Sequence, residues 1–168
     1  MTNIRYKQWQ RFVFLLTLAV FFVSFYVQYQ QHIEPCPLCL MQRFCAALLI
    51  LGCVIAVCIK TIKFAKALVM TQILFAALGV FFATRQLWLQ SLPAENAPAC
   101  LPTLDVMLQY FPLRAVVQTL LWGSGNCAEV TWLWFGLSMA AWSLVYFSIV
   151  FAVSSALLWT LSQRPKAF

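Results

Sequence analysis

Cys36-Pro-Leu-Cys39, followed four residues later by Arg43, stands where a polar stretch gives way to a long apolar run. Two cysteines at this spacing can cycle between dithiol and disulfide. A guanidinium one helical turn away can pair with a thiolate or a reduced oxygen. Proline favours the first position of a helix, so Cys36 is a candidate N-cap and Cys39 falls in the first turn, where the helix N-terminus favours an anion. Two more cysteines, Cys100 and Cys127, lie 27 positions apart in the one long segment between apolar runs. The chain thus holds two separable candidate redox pairs, which points to electron transfer more than to cross-linking. The resting connectivity of the four sulfurs stays open at this level. A structural bridge between Cys100 and Cys127 is the plainer alternative, since closing such a loop contributes about 3–4 kcal/mol in chain-entropy terms. Zinc would have to use Cys36, Cys39, Cys100 and Cys127 with His32, the only histidine. The second C-x-x-C of a zinc module is missing, and no metal is expected.

The elements that must position these residues are membrane spans. Of 168 residues, 64% are hydrophobic and only 9% charged, with a mean hydropathy of +0.86, more than a soluble core of this size needs. Four runs are long and apolar enough to approach the roughly 20 residues a bilayer requires: residues 12–27, 44–59, 67–83 and 142–161. Helices are required, because backbone amides in hydrocarbon must be satisfied within the segment. The expected fold is therefore all-α: a four-transmembrane-helix bundle, one membrane domain over residues 1–168, with loops at 28–43 and 87–141. The first run could be a signal peptide, with Arg5, Lys7 and Arg11 as its basic flank, but no small-residue cleavage site comes after it.

Charge sets the expected orientation. Arg5, Lys7, Arg11, Lys60, Lys63, Lys66, Arg164 and Lys166 fall at the termini and in the middle loop, whereas Glu34, Glu95, Asp105 and Glu129 fall in the other two loops. The excess of Lys and Arg on cytoplasmic loops puts both termini in the cytoplasm and all four loop cysteines outside, where a periplasm lets disulfides persist. The net charge of +7 then needs no nucleic acid partner. Cys45, Cys53 and Cys58 lie within the second run and read as small hydrophobes; no other span offers them a cysteine partner.

In the second outer loop, three prolines between Ser91 and Pro102 oppose helix, which should leave Cys100 accessible. Leu113, Val116, Val117, Leu120 and Leu121 recur at helical spacing opposite Arg114 and Gln118, the pattern of a short helix lying on the membrane surface. Trp122-Gly-Ser-Gly-Asn-Cys127 reads as a glycine-rich turn, which would leave Cys127 on mobile backbone.

Cys36-Pro-Leu-Cys39-Leu-Met-Gln-Arg43, Arg85-Gln-Leu-Trp-Leu-Gln90-Ser-Leu-Pro93, Pro98-Ala-Cys100 and Ser124-Gly-Asn-Cys127-Ala-Glu129 together resemble the DsbB family of disulfide bond formation proteins, over nearly the whole chain. One departure is Ala140-Ala141-Trp142, where relatives commonly carry proline before the tryptophan; it leaves the start of the fourth helix open. The resemblance implies an inner-membrane oxidoreductase that reoxidises a periplasmic thioredoxin-fold oxidase, DsbA or a relative, and passes the electrons to membrane quinone, ubiquinone or menaquinone. It implies attack by the partner on Cys100, resolution involving Cys127, and electron flow to Cys36 and Cys39. Cys39 would face the quinone, with Arg43 stabilising the thiolate and the reduced oxygen. Gln86 and Gln90 match positions near the quinone and share a helix face by spacing; Arg85 could instead contact lipid headgroups, and His32 could relay protons.

Two other classes compete. A vitamin K epoxide reductase-like quinone reductase also uses four helices and a C-x-x-C, but there the motif is expected late in the bundle. A non-enzymatic scaffold with structural disulfides, or a small transporter, is the third class; a transporter would show polar groups at mid-membrane, and these spans offer only scattered Ser, Thr and Gln72. Nothing in the chain demands more than a monomer.

Overall fold

The computed structural model describes residues 3–31, 35–59, 61–93, 98–102, 104–130 and 132–163. His32, Glu34, Lys60, Glu95, Arg164 and Lys166 lie outside them, as does the side chain of Asp105. The chain runs α1 (Asn3–Gln31), α2 (Pro37–Cys58), α3 (Ile62–Gln90), α4 (Leu104–Tyr110), α5 (Leu113–Trp122), a 3₁₀ turn (Gly125–Cys127), β1 (Leu133–Trp134), β2 (Leu137–Ser138) and α6 (Met139–Gln163). Four of these helices, α1, α2, α3 and α6, are long and apolar enough to cross a membrane, so the architecture is the expected four-span all-α bundle.

Every span is longer than its apolar run. Helix α3 continues to Gln90, past Thr84, Arg85 and Gln86, where the hydrophobic run of residues 67–83 stops. Arg85 and Gln86 find partners on neighbouring segments, so they need not end the helix. By the same logic α1 extends to Gln31 and α2 begins at Pro37, which shortens the first loop from the expected 28–43. Helix α6 starts at Met139, and Ser138 Oγ accepts from Ala141 N at 3.4 Å. Alanine at 141 keeps an N–H for that cap, which proline would lack.

Helix α3 is the central element, packed on both α6 and α2, while α1 leans on α2 and barely touches α6. Small residues permit the close approach: Ala76, Gly79 and Ala83 are buried on one face of α3, and a Cβ at Gly79 would run into the Phe147 ring. Leu38, Leu49, Phe82, Leu89, Phe147 and Val150 build the core at the cysteine end. Tyr6, Ala56, Ala65, Val69, Leu157 and Leu161 build it at the opposite end, where α1 starts and α6 stops. Phe12, Leu15, Phe22, Leu51, Val54, Leu74 and Ile149 are exposed, giving the apolar exterior that a bilayer requires.

The segment between α3 and α6 carries more structure than its sequence suggests. The expected surface helix is α5: Val116 and Thr119 turn inward while Leu113, Val117 and Leu121 stay exposed. Helix α4 and the β1–β2 hairpin have no counterpart in the sequence reading. The hairpin pairs Leu133 with Ser138 and Trp134 with Leu137, closing through Phe135 at φ 51° and Gly136 at φ 75°. Two successive left-handed residues make the tight turn that matches strand twist; a bulky Phe in the first place hides that signal from a sequence search.

Candidate functional site

The site is assembled on the N-terminus of α2. Cys36 adopts an extended N-cap conformation with Pro37 next, and its Sγ accepts from the Cys39 backbone N–H at 3.3 Å. This brings the two sulfurs of the motif within 2.8 Å, with the Cys36 thiol donating to Cys39. Gln86 reaches across from α3: its Nε2 donates to Cys39 Sγ at 3.3 Å and to Cys36 Sγ at 3.5 Å. Its carbonyl oxygen accepts from Gln42 Nε2 at 2.8 Å. Both amides are buried, and the Gln86 amide is matched on one side by sulfur and on the other by Gln42, as a low-dielectric site requires.

Cys127 does not sit free on its glycine-rich turn; it is 0% exposed and packs with Cys36 and Leu38 in the core at the cysteine end. The reason lies in the turn before it. Gly123 takes φ 81°, where a Cβ would meet Leu38 and Leu89 Cδ1 atoms at 2.8 Å, so glycine lets the chain lie flat against the bundle. The Cys36 thiol and the Leu38 and Ser124 groups hold the Cys127 thiol down to about 6, against the rise that burial alone would cause. Cys36 moves the other way, raised chiefly because it remains the donor to Cys127 and to Cys39. Two sulfurs therefore share the otherwise unpartnered N–H groups of one helix start, Cys36 taking that of Cys39 and Cys127 lying at that of Leu38.

Cys100 is exposed, in line with its proline-rich surroundings, and yet its backbone is held. Gly125 N–H donates to Ala99 O at 3.1 Å and Asn126 Nδ2 to Leu101 O at 3.1 Å. These two bonds bracket Cys100 and lay its segment beside the turn that carries Cys127.

Arg43 lies one turn beyond Cys39 on α2, but its hydrogen bonds run to α1. Nε donates to Ser24 Oγ at 2.8 Å, Nη2 to Ser24 O at 3.0 Å, and Nη1 to Gln28 Oε1. The guanidinium also sits 4.6 Å over the Phe25 ring. Helix α1 thus orients the cation and offsets the cost of holding it near hydrocarbon. Gln90 shares a face of α3 with Gln86, as their spacing predicts, but accepts from Ser138 Oγ at 2.8 Å and so ties α3 to the start of α6.

These groups meet in a cleft of about 120 Å³. Cys39, Gln42, Arg43, Gln86 and Gln90 supply polar walls, while Phe21, Ala46, Tyr146 and Phe147 supply apolar ones. Sequence reasoning gave no role to Ser24, Gln28 or Gln42. Ser24 and Gln28 did leave a signal: two polar residues four apart at the end of an apolar run share a helix face. Cys45 and Cys53 lie in the core and Cys58 on the exterior; Cys53 Sγ accepts from Gln72 Nε2 at 3.4 Å.

Most of the chain is similar to proteins already known. The family described as Disulfide bond formation protein DsbB matches residues 6–157. Among curated relatives, Disulfide bond formation protein B of Marinobacter nauticus is 41% identical, covering 82% of this chain and 83% of its own length. The protein of that name from Hahella chejuensis is 41% identical over 91% of this chain and 92% of its own. That from Acinetobacter baylyi is 37% identical over 94% of each. No solved structure matches. The matched stretch takes in the α2 thiol pair, the Cys100 segment, the Cys127 turn and most of the four-span bundle that carries them, and the chain belongs to the DsbB family of disulfide bond formation proteins.

Proposed function

We propose that the chain is a protein-disulfide:quinone oxidoreductase that reoxidises a periplasmic thioredoxin-fold thiol oxidase of the DsbA type. In this reading it sits in the bacterial inner membrane with both termini in the cytoplasm. The observation that carries the reading is the position of Cys36, hydrogen-bonded to Cys39 at 2.8 Å and packed in the same buried cluster as Cys127. Electrons can then pass between an exposed sulfur at Cys100 and a cleft-facing sulfur at Cys39 through adjacent thiol exchanges.

The exchanges balance in sulfur, protons and electrons. With Cys100–Cys127 and Cys36–Cys39 both oxidised, a partner thiolate attacks Cys100 and expels Cys127 as thiolate. The Leu38 and Ser124 backbone N–H groups remain beside Cys127 in this state and favour its departure as a thiolate. Cys127 attacks Cys36 and expels Cys39 toward Gln86 and Arg43. The partner's second thiolate attacks its own sulfur in the mixed disulfide and expels Cys100, which leaves the partner oxidised. Cys100 then takes back Cys127 from Cys36, so one disulfide has moved to the partner and Cys36 and Cys39 are both reduced. Their reoxidation returns two electrons and two protons.

The lining of the cleft suits a quinone ring: Arg43 places a cation at its polar end beside Cys39, and Phe21, Ala46 and Phe147 wall the rest. A bound quinone supplies the acceptor for both electrons and both protons. Arg43, oriented by Ser24 and Gln28, holds positive charge beside the oxygen that gains electron density, and Gln86 orients Cys39 toward it. The test is anaerobic reduction of a soluble quinone analogue by the purified protein with reduced partner, comparing wild type, Cys39→Ser and Arg43→Ala. Turnover lost in the cysteine variant and weakened in the arginine variant supports the route; absence of turnover in wild type overturns it.

A further inference from the structure

One contact at the cysteine end serves neither the cleft nor the sulfurs directly. Arg85, near the end of α3, turns toward the last residue of α5. Its Nε donates to Trp122 O at 3.2 Å, and its guanidinium lies 4.2 Å from the Trp88 ring centroid and 5.6 Å from that of Trp122. The last carbonyls of a helix have no intrahelical donor, and a cation there meets the negative end of the helix dipole. Arg85 therefore caps α5 from outside, and its contact with two indole rings limits where the fork can go.

The cap matters because of the backbone just beyond it. Gly123 N–H closes on Thr119 O at 2.8 Å, and Gly123 itself is wedged against Leu38 and Leu89. Ser124 then leads straight into the Gly125–Cys127 turn. The backbone is thus pinned at Trp122 by Arg85 and at Gly123 by packing, within five residues of the sulfur that lies against Cys36.

We propose that Arg85 is a positioning residue for thiol exchange: by capping α5 at Trp122 it fixes the course of residues 123–127 and so holds Cys127 in register with Cys36. The inference rests on the proposed function, in which those two sulfurs exchange. Its consequence is a high effective molarity of Cys127 toward Cys36, with no effect on the Cys36–Cys39 pair, whose geometry is set within α2 and by Gln86. The cation reads the loop backbone through a carbonyl, so charge alone is not sufficient.

The test uses the full-length protein in lipid nanodiscs, equilibrated in glutathione redox buffers at pH 7, acid-quenched and peptide-mapped for both disulfides. Neither quinone nor partner is present. The Cys36–Cys127 bond is read in a Cys39→Ser/Cys100→Ser background and the Cys36–Cys39 bond in a Cys127→Ser/Cys100→Ser background. Arg85→Gln is expected to lower the equilibrium constant for Cys36–Cys127 formation tenfold or more, which is a shift of about 30 mV, and to leave Cys36–Cys39 unchanged. Arg85→Lys, which can still reach the carbonyl but does not stack as a plane, should fall between. Gly123→Ala, which loosens the same turn without touching the cation, should lower Cys36–Cys127 as well. Equal Cys36–Cys127 constants in wild type and Arg85→Gln overturn the proposal, as does an equal shift in both disulfides, which signals general loosening. A Cys39→Ser/Cys100→Ser protein that keeps Arg85 and never forms Cys36–Cys127 overturns the exchange reading itself and the clamp with it.

Discussion

Replacing Gln86 with Leu should make the Cys36–Cys39 disulfide a weaker oxidant. In the reduced protein the Gln86 amide donates to both sulfurs, at 3.3 and 3.5 Å, and a hydrogen bond to a charged acceptor is worth about 1.5–3 kcal/mol. Disulfide sulfurs are poor acceptors, so the bond favours the reduced form, and its loss lowers the reduction potential. Sulfur is a weaker acceptor than oxygen, which argues for the lower end, about 1.5 kcal/mol, or about 30 mV for a two-electron couple. The substitution also strands Gln42 Nε2, which now donates to Gln86 at 2.8 Å in a buried setting; an orphaned buried donor costs about 1–3 kcal/mol of stability. The two effects separate in Gln42→Leu/Gln86→Leu, which should recover stability while the potential stays low. The assay is a glutathione titration of the Cys36–Cys39 couple in the Cys127→Ser background, with thermal unfolding alongside. Gln90→Leu is the control, since Gln90 bonds Ser138 instead of sulfur. A potential that stays the same or rises in Gln86→Leu refutes the claim that this amide stabilises the reduced pair.

Three further outcomes are expected. The fully reduced protein should gain stability as pH rises from about 6 toward the ordinary thiol range near 9. A depressed folded-state Cys127 binds fewer protons than its unfolded counterpart in that window, and the gain is lost as pH falls through the folded value. Cys127→Ser should flatten the rise in thermal midpoint, and an unchanged slope would count against the Cys36 and Leu38 donors. Ser24→Ala removes a partner of the Arg43 Nε and should raise KM for a soluble quinone analogue about tenfold, the value of one charge-assisted hydrogen bond, while the initial rate of mixed-disulfide formation at Cys100 stays as in wild type. Gly79→Ala drives a methyl into the Phe147 ring and should destabilise the α3–α6 contact by about 1–3 kcal/mol; unfolding in detergent would detect it, and Phe147→Leu in the same chain should restore much of the loss.

Much of the site could be read directly from residue order. Pro37 after Cys36 predicts the N-cap, and the structure has it, because proline's missing N–H and fixed φ suit a first helical position whatever the surroundings. The prolines flanking Cys100 likewise predict an exposed sulfur. The glycines before Cys127 misled, because glycine signals conformational freedom in an isolated chain; in the fold, Gly123 is where a side chain would not fit between Leu38 and Leu89. The spans came out short at the polar residues 84–86 for a related reason: hydropathy scores Gln86 against solvent or lipid, and not against the sulfurs and the Gln42 amide that receive it.

The sequence by itself determined the four-helix membrane architecture, the thiol pair on a helix start and the accessible cysteine, since each comes from local chemistry: apolar length, proline's ring and the absence of helix formers. Only the tertiary structure decided that Cys36 touches two other sulfurs, that Arg43 is held by Ser24 and Gln28 of α1, that Gln86 serves sulfur while Gln90 serves Ser138, and that Arg85 caps α5. Each of these joins side chains from elements far apart in the chain. Sequence periodicity reports which face a residue occupies, whereas the partner on that face is chosen by how the helices pack.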